Sequence, residues 1–293
     1  MKPTLLIIEG DGLLTRAHYG AGADIVTNSG MEVGSVNKFI QVLQREITRW
    51  NVDYLYIAFD PMSPTTWRHK AYSEYKADRP PKPPSLVYSK TLLMKILPLL
   101  GATIEMNPEF EADDLVGSMA YKCSLEEREC VLEANDKDLL DLLKYKGVRY
   151  VTPFPSGSEP LFEKDVVTKM GVRADQVIDY LSLLGDTADN VPGVKGCGAM
   201  KSSMLLKEYG TLENIIAAAQ QSKIAGALGT NIRQSAKHAI GFRDLMTLRL
   251  ESSAINTSTC IIRQPVYNEL LPLLQENNLI LLYEEALAES RNK

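Results

Sequence analysis

Short apolar runs that stop on acids constrain this chain more than any other feature. Leu5-Leu6-Ile7-Ile8 is continuous rather than alternating and ends at Glu9-Gly10-Asp11. A run like this suits a strand buried on both faces of a parallel sheet. Tyr54 to Phe59 repeats the pattern and ends at Asp60. Thr103 to Met106 predicts a third strand, Glu129 to Glu133 a fourth that leads to Asn135-Asp136-Lys137-Asp138, and Arg149 to Thr152 a fifth. Between the strands, apolar residues recur at helical spacing, as in Val36, Phe39, Ile40, Leu43, Ile47 and Trp50. Strands alternating with helices predict an α/β unit with a mostly parallel sheet.

The pattern changes after about residue 158. From there apolar spacing is helical, with Val177, Ile178, Tyr180, Leu181 and Leu184 on one helix that stops at Gly185-Asp186. Further helices fit residues 211–219, 231–250 and 267–277. The expected organisation is an α/β domain over 1–158 and a helical subdomain over 159–293, packed as one unit.

In open parallel sheets, ligands bind beyond the carboxyl ends of the strands. A single acid there is ordinarily a turn residue or helix cap. Here Glu9, Asp60 and Asp136 follow three strands, and Glu111-Ala112-Asp113-Asp114 follows a fourth. Asp138 adds to Asp136, and Asp186 and Asp189 sit together at a helix end. Like charges gathered this closely are tolerated in water or around a cation. The four cysteines have no metal-ligand spacing, and three histidines are too few for a histidine-based site. Many hard oxygen donors with little nitrogen or sulfur select Mg²⁺ or Mn²⁺ over zinc. Two groups of acids suit two ions roughly 4 Å apart, which favours in-line displacement at phosphorus. No GxxxxGK[ST] or strand-linked GxGxxG is present.

The formal net charge of −5 argues against a nucleic-acid partner. Setting aside the acids above leaves the rest of the chain basic, however. Arg68, Lys70, Lys76, Arg79 and Lys82 alternate with Trp67, Tyr72 and Tyr75, a surface that can engage phosphates. The opening apolar run is too short for a signal peptide or membrane span, so a soluble, cytoplasmic protein is expected.

Together these motifs resemble the 5′ nuclease family, which includes the N-terminal domain of bacterial DNA polymerase I and the phage flap endonucleases. The resemblance covers nearly the whole chain. It rests on Phe59-Asp60, on Arg68-His69-x-x-Tyr72-x-x-Tyr75-Lys76-Ala77-x-Arg79-Pro80, and on Glu111-Ala112-Asp113-Asp114. Asn135-Asp136-Lys137-Asp138-Leu139 and Gly185-Asp186-x-x-Asp189-Asn190-Val191-Pro192-Gly193-Val194-Lys195-Gly196-x-Gly198 complete it.

The resemblance implies a PIN-like, mostly parallel twisted sheet with flanking helices and a helical arch over about 68–95. It also implies a helix–three-turn–helix motif over about 184–208. Glu9, Asp60, Glu111, Asp113 and Asp114 would hold one metal ion, and Asp136, Asp138, Asp186 and Asp189 would position a second. Tyr75, Lys76 and Arg79 would be catalytic. Arg68, Lys70, Lys82, Gly193, Lys195, Gly196, Gly198 and Lys201 would meet DNA, with K⁺ a further ligand of the glycine-rich turn. The implied activity is that of a stand-alone, monomeric 5′-3′ exonuclease or flap endonuclease. Its substrates would be DNA with 5′ flaps, nicks or gaps and RNA/DNA hybrids, alongside replication proteins.

One departure is Glu9, where the family has aspartate; Asp11 is the alternative register. That departure keeps open a catalytically weakened junction-binding protein of the same fold. A PIN-type ribonuclease shares the sheet but lacks the basic segment and the glycine-rich turn. A phosphatase-like hydrolase using Asp60 as nucleophile leaves the other acids unexplained.

Overall fold

Alternation along the first strand decides the layering. In β1 (Leu5–Glu9), Leu5 and Ile7 enter one hydrophobic cluster while Leu6 and Ile8 enter another. Both faces of the strand are therefore covered, as its unbroken apolar run requires. The computed structural model describes residues 2–20, 25–63, 65–155 and 157–291.

Four more strands complete a parallel sheet: β2 (Tyr54–Phe59), β3 (Thr103–Met106), β4 (Cys130–Glu133) and β5 (Val148–Val151). Their order is β3-β2-β1-β4-β5, and every pairing is parallel. The order reverses between β1 and β4, which is where open sheets of this kind hold their ligands.

One face carries α1 (Gly10–Gly20), α2 (Gly34–Trp50) and α4 (Pro84–Leu99), which follows the short α3 (Trp67–Ala71). The other carries α5 (Ala112–Leu125) and the 3₁₀ helix Lys137–Lys144. Also on this side, beyond α6 (Glu163–Met170), lie α7 (Val177–Leu184), α8 (Ala199–Tyr209), α9 (Leu212–Gln220) and α10 (Gly226–Met246).

The last two helices leave that group. α11 (Tyr267–Glu276), α12 (Ile280–Arg291) and the turn between them bury Leu270, Leu274, Leu282 and Leu279 on the opposite face, with α2 and α4. Ile262 N–H donates to Asp53 O at 2.7 Å, so the returning chain lies along the start of β2. Residues 159–293 therefore do not pack as one helical layer.

The arch expected over 68–95 also differs. Residues 72–83 run as turns and extended chain, but α4 buries Leu86, Leu92, Leu93, Ile96 and Leu97 in the core. Pro84 opens the helix at a position where its missing N–H costs nothing, and Pro80, Pro81 and Pro83 keep the chain before it extended. Only the short basic segment is left free to overhang the sheet edge.

Between α7 and α8, Gly185–Asp186 and Val191–Pro192 form a two-residue ribbon. It depends on two glycines. A Cβ on Gly193 would lie 2.3 Å from the Leu184 carbonyl carbon, and Gly185 has φ +85°.

Candidate active site

The sheet edge collects the acids as the sequence leads one to expect, and each strand–helix junction fixes its own. Glu9 closes β1, and its Oε2 accepts the Gly12 N–H at 2.8 Å. Asp60 follows β2, and its Oδ1 accepts the Ala112 N–H, the first of α5, at 2.9 Å. Helix N-termini thus orient both carboxylates, supplying free N–H groups and a positive dipole end. Asp136 follows β4 and caps the 3₁₀ helix through Asp138 N–H at 3.0 Å. These residues and Asp113 line a cleft of about 270 Å³ with Lys76, Arg79 and Lys82 across it.

The cations are paired with acids rather than free. Lys76 Nζ lies 3.0 Å from Glu111 Oε2. Arg79 Nη2 lies 2.5 Å from Asp189 Oδ1, and Arg79 Nε donates to Ala188 O at 3.1 Å. Lys137 Nζ lies 3.0 Å from Asp186 Oδ2. The basic segment is also tied through its backbone. Lys76, at φ +56°, donates its N–H to Asp189 O, and Asn190 Nδ2 donates to Glu74 O. Asp186 and Asp189 are thereby brought from the helical side to the sheet edge.

Protonation follows from this crowding. Burial pushes Glu9 well up, and the charges of Asp113, Asp11 and Asp60 add to it. Burial and Asp136 do the same to Asp113, against Lys76. Burial, Asp136 and Asp186 raise Asp138, whose Oδ1 has no hydrogen-bond partner. Asp60 goes the other way: burial would raise it, but Lys76, the Ala112 N–H, Lys90 and Lys82 hold it below the usual aspartate value. Burial would lower Lys76, yet Glu111, Asp189 and Asp60 outweigh it and keep the amine charged.

A divalent cation would relieve the repulsion and satisfy the orphaned oxygen. The donor set is wholly oxygen, which fits a hard ion. Among the described residues no three acids stand at cage spacing, with Lys76, Arg79 and Lys137 holding Glu111, Asp189 and Asp186 as ion pairs. The repelling carboxylates fall into two sets, Glu9 with Asp60, Glu111 and Asp113, and Asp138 with Asp136, Asp186 and Asp189.

Several expected roles change. Asp114 is not a metal ligand, because it is fully buried and both of its oxygens are taken. Arg68 forks onto it at 2.6 and 2.9 Å, and Trp67 Nε1 and the Arg249 N–H add bonds at 3.0 and 2.9 Å. Arg68, for the same reason, is not a DNA contact: it is buried and also donates to Leu245 O. Tyr75 is buried too. Its hydroxyl shares one proton between Glu111 Oε2 at 2.9 Å and Asp189 Oδ2 at 3.2 Å, which makes it a positioning group. Gly193 is accounted for by the tight crossing at Leu184-Gly185 rather than by access to a ligand.

Lys70, Lys195 and Lys201 are exposed and lie outside the acid cleft, as do Gly196 and Gly198 of the turn before α8. Gly196 has φ +89°, and Asn231 Nδ2 donates to Lys195 O, so α10 braces this turn. Asp11 is not an alternative to Glu9. Lys82, Lys90 and the Asp60 N–H occupy its carboxylate. Lys90 was missed in the sequence, although a lysine between Leu86 and Leu92 on a core-facing helix was a signal. Thr15, Arg16 and Asn135 also line the cleft.

Residues 4–173 match the family described as the 5′-3′ exonuclease N-terminal resolvase-like domain, and residues 172–267 match its C-terminal SAM fold. The chain belongs to the 5′-3′ exonuclease family. A 5′-3′ exonuclease of Aquifex aeolicus is 33% identical over 214 residues, 73% of this chain and 72% of that protein. The thermostable DNA polymerase I of Thermus thermophilus is 32% identical over 87% of this chain, which spans only 29% of the polymerase.

Among solved structures, T5 5′-exonuclease with bound zinc shares the fold at TM-score 0.67 and 19% identity, covering 97% of this chain and 98% of its own. The catalytic core of Rad2 in complex with DNA substrate does so at TM-score 0.62 and 14% identity, over 94% of this chain and 88% of its own. This member of the exonuclease family is therefore an enzyme built on a parallel five-stranded sheet.

Proposed function

We propose that this enzyme hydrolyses phosphodiesters of DNA, and of RNA primers on DNA, near junctions between a 5′ single strand and a duplex. The observation that carries the reading is the convergence of strand-end acids on one cleft faced by Lys76, Arg79 and Lys82. Two Mg²⁺ or Mn²⁺ ions bound there would supply a hydroxide nucleophile and stabilise the leaving oxygen. Glu9, Asp60, Glu111 and Asp113 would hold one ion, and Asp136, Asp138, Asp186 and Asp189 would hold the other.

Lys76 and Arg79 exchange their carboxylate partners for the scissile phosphate and stabilise the charge that develops on it. Tyr75 keeps the Glu111 and Asp189 carboxylates in register while this happens. Lys195, Lys201 and the backbone of the turn at Gly196–Gly198 meet duplex phosphates, with Lys70 and Lys82 on the single-stranded side. K⁺ held by carbonyls of that turn belongs to the same reading, as does a role in replication or repair. The relatives support it: one is a 5′-3′ exonuclease, another is a DNA polymerase I, and Rad2 is known with DNA substrate.

Release of product from a 5′-labelled flap tests the proposal. Cleavage near the junction with Mg²⁺ or Mn²⁺, abolished by a chelator, is expected. Intact binding to the flap without cleavage in either metal would reject it.

A further inference from the structure

Glu9 is an awkward residue for its place. It ends β1 and directly precedes α1, whose first N–H groups need acceptors. Short side chains such as aspartate, asparagine and serine serve there; glutamate does not belong to that set. The additional methylene has to be accommodated. Here the side chain folds back over the first turn, and Oε2 meets the Gly12 N–H at 2.8 Å.

Position 12 offers no obstruction. A Cβ there would lie 2.0 Å from Glu9 Oε2 and 3.3 Å from its Cδ. Gly12 lies within α1 and does not have a positive φ, so its backbone has no need of glycine. Helix propensity alone would favour alanine. What requires glycine is the Glu9 carboxylate.

We propose that Gly12 is a positioning residue matched to Glu9, and that the pair lets a glutamate deliver a metal-ligating carboxylate where a shorter acid would otherwise be needed. The proposal rests on reading Glu9 as a ligand of a divalent cation. The Gly12 N–H holds Oε2, leaving Oε1 for the ion, much as the Ala112 N–H holds Asp60 Oδ1. A Cβ at position 12 would meet the free end of a flexible side chain. The carboxylate moves, not the backbone, so fold and ligand geometry are separable. Asp11 does not take over, since Lys82, Lys90 and the Asp60 N–H already hold it. Aspartate at position 9, one methylene shorter, caps α1 without reaching over residue 12 and tolerates a Cβ there.

The test compares full-length wild type, Gly12→Ala, Glu9→Asp, the double variant and Glu9→Ala. Mn²⁺ binding is read by electron paramagnetic resonance, and thermal midpoints are measured without metal. Gly12→Ala is expected to keep or raise its midpoint while binding Mn²⁺ about tenfold more weakly, the scale of losing a group that orients a ligand. Adding Glu9→Asp to it is expected to restore most of that affinity. Unchanged affinity in Gly12→Ala, or a double variant as weak as the single, overturns the pairing. So does a midpoint that falls in parallel with affinity, which would mark Gly12 as a packing residue. Glu9→Ala separates the two levels of argument. If it binds Mn²⁺ as wild type does, the ligand reading itself fails. If it weakens binding and Gly12→Ala does not, only the pairing fails.

Discussion

Lys76 has a left-handed backbone, a mostly buried side chain and a carboxylate partner it must release. Its Nζ neutralises Glu111 in the free protein and, on the proposed reading, a phosphate in the complex. One phosphate contact among several adds little to total affinity, whereas its charge acts fully on the transition state. Lys76→Ala is therefore expected to lower single-turnover cleavage by roughly 10²–10³, with the dissociation constant for flap DNA in Ca²⁺ nearly unchanged. Parallel losses in rate and binding would contradict a transition-state role. Asp114 makes the opposite case. Asp114→Asn leaves the buried Arg68 guanidinium with only Glu111, at 3.3 Å, as an anionic partner, which should cost about 3 kcal/mol in urea unfolding. Mn²⁺ affinity of the folded variant should not change; a selective loss of metal binding would restore Asp114 to the ligand set. The sequence presents Asp113 and Asp114 as equivalent neighbours. What separates them is a fork from Arg68 and an N–H from Arg249, and long-range pairings like these leave no trace in local spacing.

At the scale of elements, β4 against α2 encloses a carboxyl group without a hydrogen-bond partner. Glu133 ends β4 fully buried, with neither carboxylate oxygen hydrogen-bonded. Burial pushes its pKa up to about 8, Glu46 of α2 adds to that, and Arg45 and Arg49 oppose it. The folded protein keeps this proton to about pH 8, whereas the unfolded chain loses it near the ordinary glutamate value of 4.5. The contribution of Glu133 is therefore most favourable below pH 4.5 and weakens across the window up to about 8. Within that window stability should fall by about 1.4 kcal/mol per pH unit from this group alone. Glu133→Gln should flatten the slope in urea midpoints measured at successive pH values; an unaltered slope would show that the carboxyl is not the source. The strands and most helices were legible because apolar periodicity is a local property. Glu133 was read only as the end of a strand, because its isolation depends on which helix covers it. The arch was overextended for a related reason: the spacing of Leu86 to Leu97 predicts a helix but not the surface it packs on.

For the whole molecule, the acids come from two parts of the chain that share one core on the α5 face and bring their carboxylates together at the sheet edge. Glu9, Asp60, Glu111, Asp113 and Asp136 come from strand and helix ends of the sheet layer, whereas Asp186 and Asp189 come from the loop after α7. In the free protein that loop is held by Arg79, Tyr75 and Lys76 of the basic segment, and its own Asn190 reaches back to Glu74 O. The sequence gives the convergence of residue types, since acids at successive parallel strand ends must share an edge. It does not give the clasp, whose partners lie more than a hundred residues apart. If ions bind across this junction, they bind the folded state alone and stabilise it by mass action. At a hundred times the dissociation constant that is worth about 2.7 kcal/mol, or a rise of roughly 5 °C in thermal midpoint for a chain of this size. Mn²⁺ should thus raise the midpoint of the wild type, and Asp186→Asn should retain only part of the rise, because the group nearer the sheet layer remains. Comparing metal-free and Mn²⁺-loaded melting curves of both proteins decides it. A full rise in Asp186→Asn would remove the helical side from the metal site and leave the loop after α7 with a structural role alone.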